Sequence, residues 1–405
     1  MFSITEKMCR RHVSAIRKEP DTLFLNKENE ISFCEDLKSY VHRDPFINIF
    51  LGRTFLSHEM VETVGVDKLA GRIVGSASRA SFIEKTVFMN RLKEEMCPQK
   101  PKKVQITKTM DKLKNARGGS VALNTGYHIP LVGFGTYKVE GNQVLPAIDA
   151  ALTAGYRMFD TAKYYNNEKE LGDAFKILLP KHNLTRQDIF ITSKFFPEMD
   201  DCLIGSHKLI DESLEKLDTN YIDMYLVHYP KPKDALDDDV KNAERRKLTY
   251  LAFEEAKDAG KIRSIGVSNY EVFHLEELKS YAKYQPCANQ VEFHPHFTRS
   301  KLHAYCRDNG IFFQAFSSLA RQAPELIEDS VVVEMAKGHD TTVPLILLAW
   351  ARCQGVGIVP KSATPARVTE NFKVIDVVLT PDEIKLLADL NRNKDYIRCT
   401  GWLVK

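Results

Sequence analysis

From about residue 118 onward, short apolar runs alternate with stretches whose apolar positions recur at three- and four-residue spacing. The runs LVGFGTY (131–137), YRMFDTA (156–162), IFITSKF (189–195), IDMYLVHY (222–229), IRSIGVSN (262–269), ANQVEF (288–293), IFFQAFS (311–317) and VGIVPKS (356–362) are rich in β-branched and aromatic residues. They read as strands buried on both faces. Helical patterns follow them over 144–154, 168–179, 203–217, 247–260, 273–283, 300–310, 342–354 and 365–375, with a last one over 381–390. Alternation of this kind implies parallel strands joined by right-handed crossovers. Eight such units in 288 residues fit an α/β fold of the closed (β/α)8 TIM-barrel type, which takes about 250 residues. An open doubly wound sheet would announce itself by a glycine-rich first turn, and no G-x-G-x-x-G occurs. The stretch VALNTGYHIP (121–130), with its Asn-Thr-Gly turn, reads as an N-terminal β-hairpin covering the barrel bottom.

Charge divides the chain at the same place. The 405 residues sum to only +3, which gives no reason to expect a nucleic-acid partner. Residues 1–117, however, hold 22 Lys+Arg against 15 Asp+Glu, and 118–405 hold 35 against 39. The expected organisation is a basic N-terminal extension over 1–117, poorly defined, and a barrel domain over 118–405. Apolar clusters without a sustained period make the extension first a loose helical appendage, then a disordered segment, and third an independent domain. Its first 18 residues are basic and faintly amphipathic, as a mitochondrial presequence would be, but Glu6 and the scarcity of Ser and Ala speak against one. The eight cysteines are scattered with no C-x-x-C, so a reduced, cytoplasmic setting is expected. No window approaches 18 apolar residues, so no membrane span is expected.

A barrel of this type carries its chemistry at the C-terminal ends of the strands. Those ends present Asp160, with Tyr165 shortly after it, then Lys194, His228, Ser268 with Asn269, Gln290, and Lys361 with Ser362. One carboxylate, one phenol, one lysine and one histidine converge, without a Ser–His–Asp set or a carboxylate cluster for a metal. That set suits acid–base chemistry beside an organic cofactor. A phenol donates protons near neutral pH only if its pKa of about 10 falls. A lysine ammonium ~4 Å away, at an effective dielectric of ~20, supplies up to about 4 kcal/mol, or roughly three pKa units. Lys361 and Arg367, with a hydroxyl, flank the start of a helix and form an anion site suited to a phosphomonoester.

The motifs GFGTY (133–137), FDTAKYYNNEKELG (159–172), FITSK (190–194), YLVHYP (225–230), IGVSN (265–269), NQVEFHP (289–295) and IVPKSATPARVTENF (358–372) together resemble the aldo-keto reductase superfamily over about 119–400, in its aldose-reductase-like and 2,5-diketo-gluconate-reductase-like branches. The resemblance implies Tyr165 as general acid, Lys194 as the residue lowering its pKa, Asp160 as the partner of that lysine, and His228 as the group orienting the carbonyl. It implies NADP(H) as cofactor, with Ser268, Asn269 and Gln290 at the nicotinamide carboxamide. Lys361, Ser362, Arg367 and Asn371 would take the adenosine 2′-phosphate end, with Glu370 near the adenine. Gly135, Thr136, Tyr137, Phe316, Ser317, Leu319 and Thr364 complete the cofactor contacts. His228, Tyr229 and Trp402 would line the substrate site. The implied activity is NADPH-dependent reduction of a small carbonyl substrate by a monomer, without metal. A non-catalytic NADP(H)-binding regulatory or scaffold protein is the alternative on the same fold.

Taken singly, the same residues have plainer readings. Asp160 could cap a helix, Tyr164 could replace Tyr165, and His228 could be a satisfied core histidine. His294 and His296 form an H-x-H pair without a third ligand nearby, and Asp237 to Asp239 read as a solvated loop. Tyr165 and Lys169 fit the Y-x-x-x-K of short-chain dehydrogenases, but the glycine-rich turn those enzymes need is missing, so Lys169 reads as a surface lysine. The chain also departs from the family pattern. Phe316 stands where a stacking tyrosine is usual, Tyr137 and Tyr229 replace tryptophans, SSLA (317–320) replaces S-P-L-G, and the tail over 391–405 is short.

Overall fold

The computed structural model describes residues 112–397 and 400–405. Whatever was expected of residues 1–111, including the character of the extension, lies outside the described residues.

A hairpin comes first, β1 (Ser120–Ala122) paired antiparallel with β2 (His128–Pro130). Eight strands then follow, β3 (Phe134–Gly135), β4 (Met158–Asp160), β5 (Phe190–Phe195), β6 (Ile222–Val227), β7 (Ile262–Ser268), β8 (Ala288–Glu292), β9 (Phe312–Phe316) and β10 (Gly357–Ile358). Each pairs in parallel with the next, from β3 to β10 in chain order. Parallel bridges Val132↔Ile358 and Gly135↔Lys361 join the first strand to the last. The ring is therefore closed, and the expected barrel is what forms.

The helices between strands are α1 (Val144–Ala154), α2 (Glu168–Lys181), α3 (Cys202–Lys216), α4 (Asn242–Asp258), α5 (Val272–Lys279) and α6 (Ser300–Asp308). After β9 come α7 (Pro324–Ile327) and α8 (Ser330–Gly338), then α9 (Val343–Arg352). α10 (Pro365–Phe372) and α11 (Pro381–Ala388) end the series. The sequence pattern gave no helix between 318 and 341. α8 nevertheless forms there, started by Asp329, whose side chain accepts from the Val331 N–H.

Strand side chains alternate, so each strand feeds two cores. Phe159, Ile191, Tyr225, Val227, Ile265, Val267, Phe313 and Ile358 face the helices in the larger cluster. Met158, Phe190, Met224, Leu226, Ala288, Phe312 and Val359 point inward and pack with Leu123 and Ile129 of the hairpin region. The hairpin turn also reaches the chain entering the barrel, through Thr125 Oγ1 to Ser264 Oγ at 2.7 Å and Asn124 Nδ2 to the Pro286 carbonyl at 3.1 Å. It closes the bottom, as the sequence suggested. Residues 112–117 join the same end, with Leu113 buried in the inner cluster and Lys112 paired to Asp188 at 2.7 Å.

Candidate active site

Two or four residues beyond the inward apolar layer, the same strand faces turn polar, except on β9, which ends in Phe316. Period-two alternation carries Met158 to Asp160, Phe190 to Lys194, Leu226 to His228, Ala288 to Gln290, Phe312 to Phe316 and Val359 to Lys361. Seven separate strands thus deliver their last inward side chains, Ser268 among them, to one mouth. The 3-10 turn Lys163–Tyr165, directly after β4, adds Tyr165.

Lys194 is the buried centre of this group. Its Nζ donates to Asp160 Oδ1 at 2.6 Å and to the Thr161 carbonyl at 2.9 Å, and lies 5.0 Å from the Tyr165 ring centroid. Burial pushes the Lys194 ammonium below the usual lysine range, and the Asp160 carboxylate opposes that push. Gln290 Nε2 donates to the other Asp160 oxygen at 2.8 Å and to Gln314 Oε1 at 2.7 Å, so the carboxylate is held at both ends. Asp160 serves no helix cap here. The His228 ring lies 6.1 Å from the Tyr165 ring, edge to face, and stacks on Phe196 at 4.5 Å. Burial first, then the Lys194 charge, holds its pKa well below the ordinary histidine value, so the imidazole is neutral at physiological pH. Its Nδ1 is buried without a partner among the described residues.

The expected cofactor residues are placed as follows. Ser268 Oγ donates to the Gln290 carbonyl at 2.7 Å, and Asn269 Nδ2 donates to the His228 carbonyl at 2.9 Å and to Ser268 Oγ at 3.1 Å. Asn269 holds a left-handed φ of 62°. Thr136 Oγ1 donates to the Asp160 carbonyl at 2.9 Å, and the Tyr137 ring lies 5.0 Å from Tyr165. Gly135 sits at the closing seam, where a Cβ would stand 2.6 Å from the Val359 carbonyl oxygen. Phe316 and Leu319 are half-buried, and Ser317 opens a loop in which Ala320, Arg321 and Gln322 share its positive φ. Lys361 and Ser362 precede α10, Thr364 stands at its N-cap position without a side-chain capping bond, and Arg367 and Glu370 lie along it, with Asn371 buried. Burial and the neighbouring Lys138 ammonium hold Lys361 below the usual lysine range, against a weaker opposite pull from Glu140. Glu370 pairs with Lys373 at 2.9 Å.

Tyr229 is buried beside Phe196, 6.4 Å between rings. Trp402 packs on Phe297 at 5.7 Å, with the Arg299 guanidinium 5.5 Å from its ring. The tempting H-x-H pair belongs to the tail instead. His294 Nε2 bonds Glu292 Oε1 at 2.9 Å, and His296 Nδ1 bonds the Tyr396 hydroxyl at 2.8 Å. Lys169 pairs with Asp173 on the exposed face of α2. Two members of the site escaped the sequence reading, Phe196 and Lys138, and the part played by Thr161 escaped it too. Phe196 had a signal, an aromatic residue directly after the strand that ends in Lys194-Phe195. Thr161 acts through its carbonyl, which no side-chain pattern reveals.

This geometry can hold an ammonium against a phenol and offer a neutral imidazole beside it. The aldo/keto reductase family profile matches residues 131–392. Glyoxal reductase of Bacillus subtilis (strain 168) is 36% identical over 68% of this chain and 94% of its own length. Human aldo-keto reductase family 1 member C4 is 36% identical over 68% of this chain and 93% of its own. Among solved structures, the aldo-keto reductase MGS-M4 from a Medee basin deep-sea metagenome superimposes with a TM-score of 0.62 at 36% identity, covering 68% of this chain and 96% of that one. No described helix is long and apolar enough to cross a membrane. Ordered motifs, closed barrel and these likenesses agree, and the chain belongs to the aldo/keto reductase family.

Proposed function

We propose that this chain reduces aldehydes and ketones to alcohols with NADPH as hydride source. The observation that carries the reading is the buried Lys194 ammonium, set between the Asp160 carboxylate and the Tyr165 ring at the barrel mouth. The cofactor residues fit a phosphorylated nucleotide. Lys361 is a partly desolvated ammonium with Lys138 beside it, an arrangement an anion relieves. Ser268, Asn269 and Gln290 would hold the carboxamide, and Lys361, Ser362, Arg367 and Asn371 the 2′-phosphate. Charge-assisted bonds of about 1.5–3 kcal/mol each would favour NADPH over NADH. When bound, the cofactor supplies hydride to the carbonyl carbon.

The chain's own residues do the rest. Tyr165 gives its phenolic proton to the carbonyl oxygen, and the Lys194 charge stabilises the phenolate left behind. Asp160 keeps that ammonium charged and fixed. Neutral His228 donates a hydrogen bond to the same oxygen and so orients the carbonyl. Tyr137, Tyr229, Phe196 and Trp402 would surround a small carbonyl compound, and Phe316 would offer a ring face for stacking.

A panel of aldehydes, glyoxal included because of the Bacillus subtilis relative, incubated with protein and NADPH tests this by the loss of reduced-nicotinamide absorbance. Consumption with at least one carbonyl compound is expected, and slower consumption with NADH. Tight NADPH binding without turnover of any member would favour a non-catalytic cofactor-binding role. Equal Michaelis constants for the two cofactors would remove the 2′-phosphate assignment.

A further inference from the structure

The C-terminal residues are pinned on both sides of Gly401. Before it, the buried Glu292 carboxylate accepts from the Tyr396 N–H at 2.7 Å and the Ile397 N–H at 3.1 Å. After it, buried Arg246 on α4 donates to the Lys405 carbonyl oxygen at 2.9 Å, and His274 on α5 bonds the Val404 carbonyl at 3.1 Å. The Glu271 N–H donates to His274 Nδ1 at 3.1 Å, which leaves Nε2 as the N–H that reaches Val404. Glu277 holds Arg246 from behind, with Nε to Oε1 at 2.9 Å. The Lys405 N–H also reaches the Asp237 carbonyl at 3.0 Å.

Between these anchors, Gly401 lies flat against Asn269. A Cβ built on Gly401 would overlap the Asn269 carbonyl oxygen. Asn269 is itself held in a left-handed conformation, its N–H bonded to the Gln290 carbonyl and its amide to His228 and Ser268. The contact is therefore backbone on backbone, with little slack in either partner.

We propose that the C-terminal tail is a positioning element of the carboxamide site, acting through the seat of Gly401 against Asn269. This rests on the NADPH reading above. The tail does not touch the reacting atoms in this scheme. It fixes the loop that carries Asn269 and, through the Asn269 amide, the main chain of His228. A methyl group at Gly401 would press directly on the Asn269 carbonyl, so strain there reaches the loop that carries the carboxamide site.

The test compares Gly401→Ala with Gly338→Ala, whose added Cβ meets open space. Affinity for NADPH and for 2′-phospho-ADP-ribose, which lacks the nicotinamide, is read by quenching of protein fluorescence. Gly401→Ala is expected to weaken NADPH at least tenfold and 2′-phospho-ADP-ribose less than twofold, with Gly338→Ala like wild type. If Gly401→Ala does not fold, deletion of residues 400–405 should give the same split. Equal weakening of both ligands, or of neither, overturns the proposal, since a merely structural tail predicts one of those. Wild-type protein that binds neither ligand would instead remove the NADPH reading, and the proposal with it.

Discussion

Asp160 has two oxygens and two partners, Lys194 on one and Gln290 on the other. Removing its charge while keeping its shape is therefore informative. In Asp160→Asn the Lys194 ammonium loses the carboxylate charge that opposes its desolvation, and keeps the Thr161 carbonyl. Its pKa falls further, so the decline of turnover on the alkaline side should move to lower pH. An unmoved alkaline limb would show that the pair is structural only. Tyr165→Phe should lower kcat by about 10²–10⁴-fold and leave NADPH affinity within about threefold. Unchanged turnover in that variant would reject Tyr165 as the acid. His228 is held neutral by burial and by Lys194, so no activity limb near pH 6.5 should disappear on His228→Gln. Asp160, Lys194 and His228 stand out in the sequence because each closes an apolar strand run, whereas only the family spacing singles out Tyr165 in the turn after β4. Arg246 was not. It sits among Glu244, Arg245 and Lys247, a charge run that reads as a solvated helix face. Its buried charge is met by Glu277 and by the residue 405 carbonyl, contacts 31 and 159 residues away in the chain.

At the scale of elements, the barrel was read correctly and its seam was read too long. The runs over 131–137 and 356–362 look like full strands, yet β3 and β10 hold two residues each. These are the first and last strands, joined mainly through single bridges at Val132 and Gly135. Glycines let the two edges come this close. Gly135→Ala would press a methyl group against the Val359 carbonyl and should cost about 1–3 kcal/mol of stability, measured by denaturant unfolding. The same element scale sets an acid sensitivity. Burial first, then Arg246, pushes His274 down to about 3, from 6.5 when unfolded. The unfolded chain thus binds the extra proton first. Stability contributed by neutral His274 is complete above pH 6.5 and falls between pH 6.5 and 3, by about 1.4 kcal/mol per unit of pH. His274→Gln, which can still donate to Val404, should flatten the drop in Tm across that window. An identical drop in the variant would show that other groups carry it.

For the whole molecule, the change in net charge near residue 118 is matched only loosely by packing. Leu113 is buried with the barrel floor, Lys112 pairs with Asp188, and the Ser120 hydroxyl reaches the Lys114 carbonyl at 2.7 Å. Charge counting could not see this, because one buried leucine inside a basic stretch changes no total. We therefore propose that the functional unit begins no later than residue 112. A chain starting at Ile106 should keep the stability and carbonyl-reducing activity of the full protein. One starting at Gly118 should lose about 2 kcal/mol with the Leu113 side chain. Equal stability of the two truncations would return the boundary to 118. At the other end of the chain, the anchors have a different character. Glu292, Arg246 and His274 take hold of main-chain N–H and carbonyl groups at residues 396, 397, 404 and 405. A grip on the peptide backbone is indifferent to which side chains the peptide carries. With Trp402 placed at the substrate site as proposed, an exchange of that side chain leaves these main-chain moorings in place.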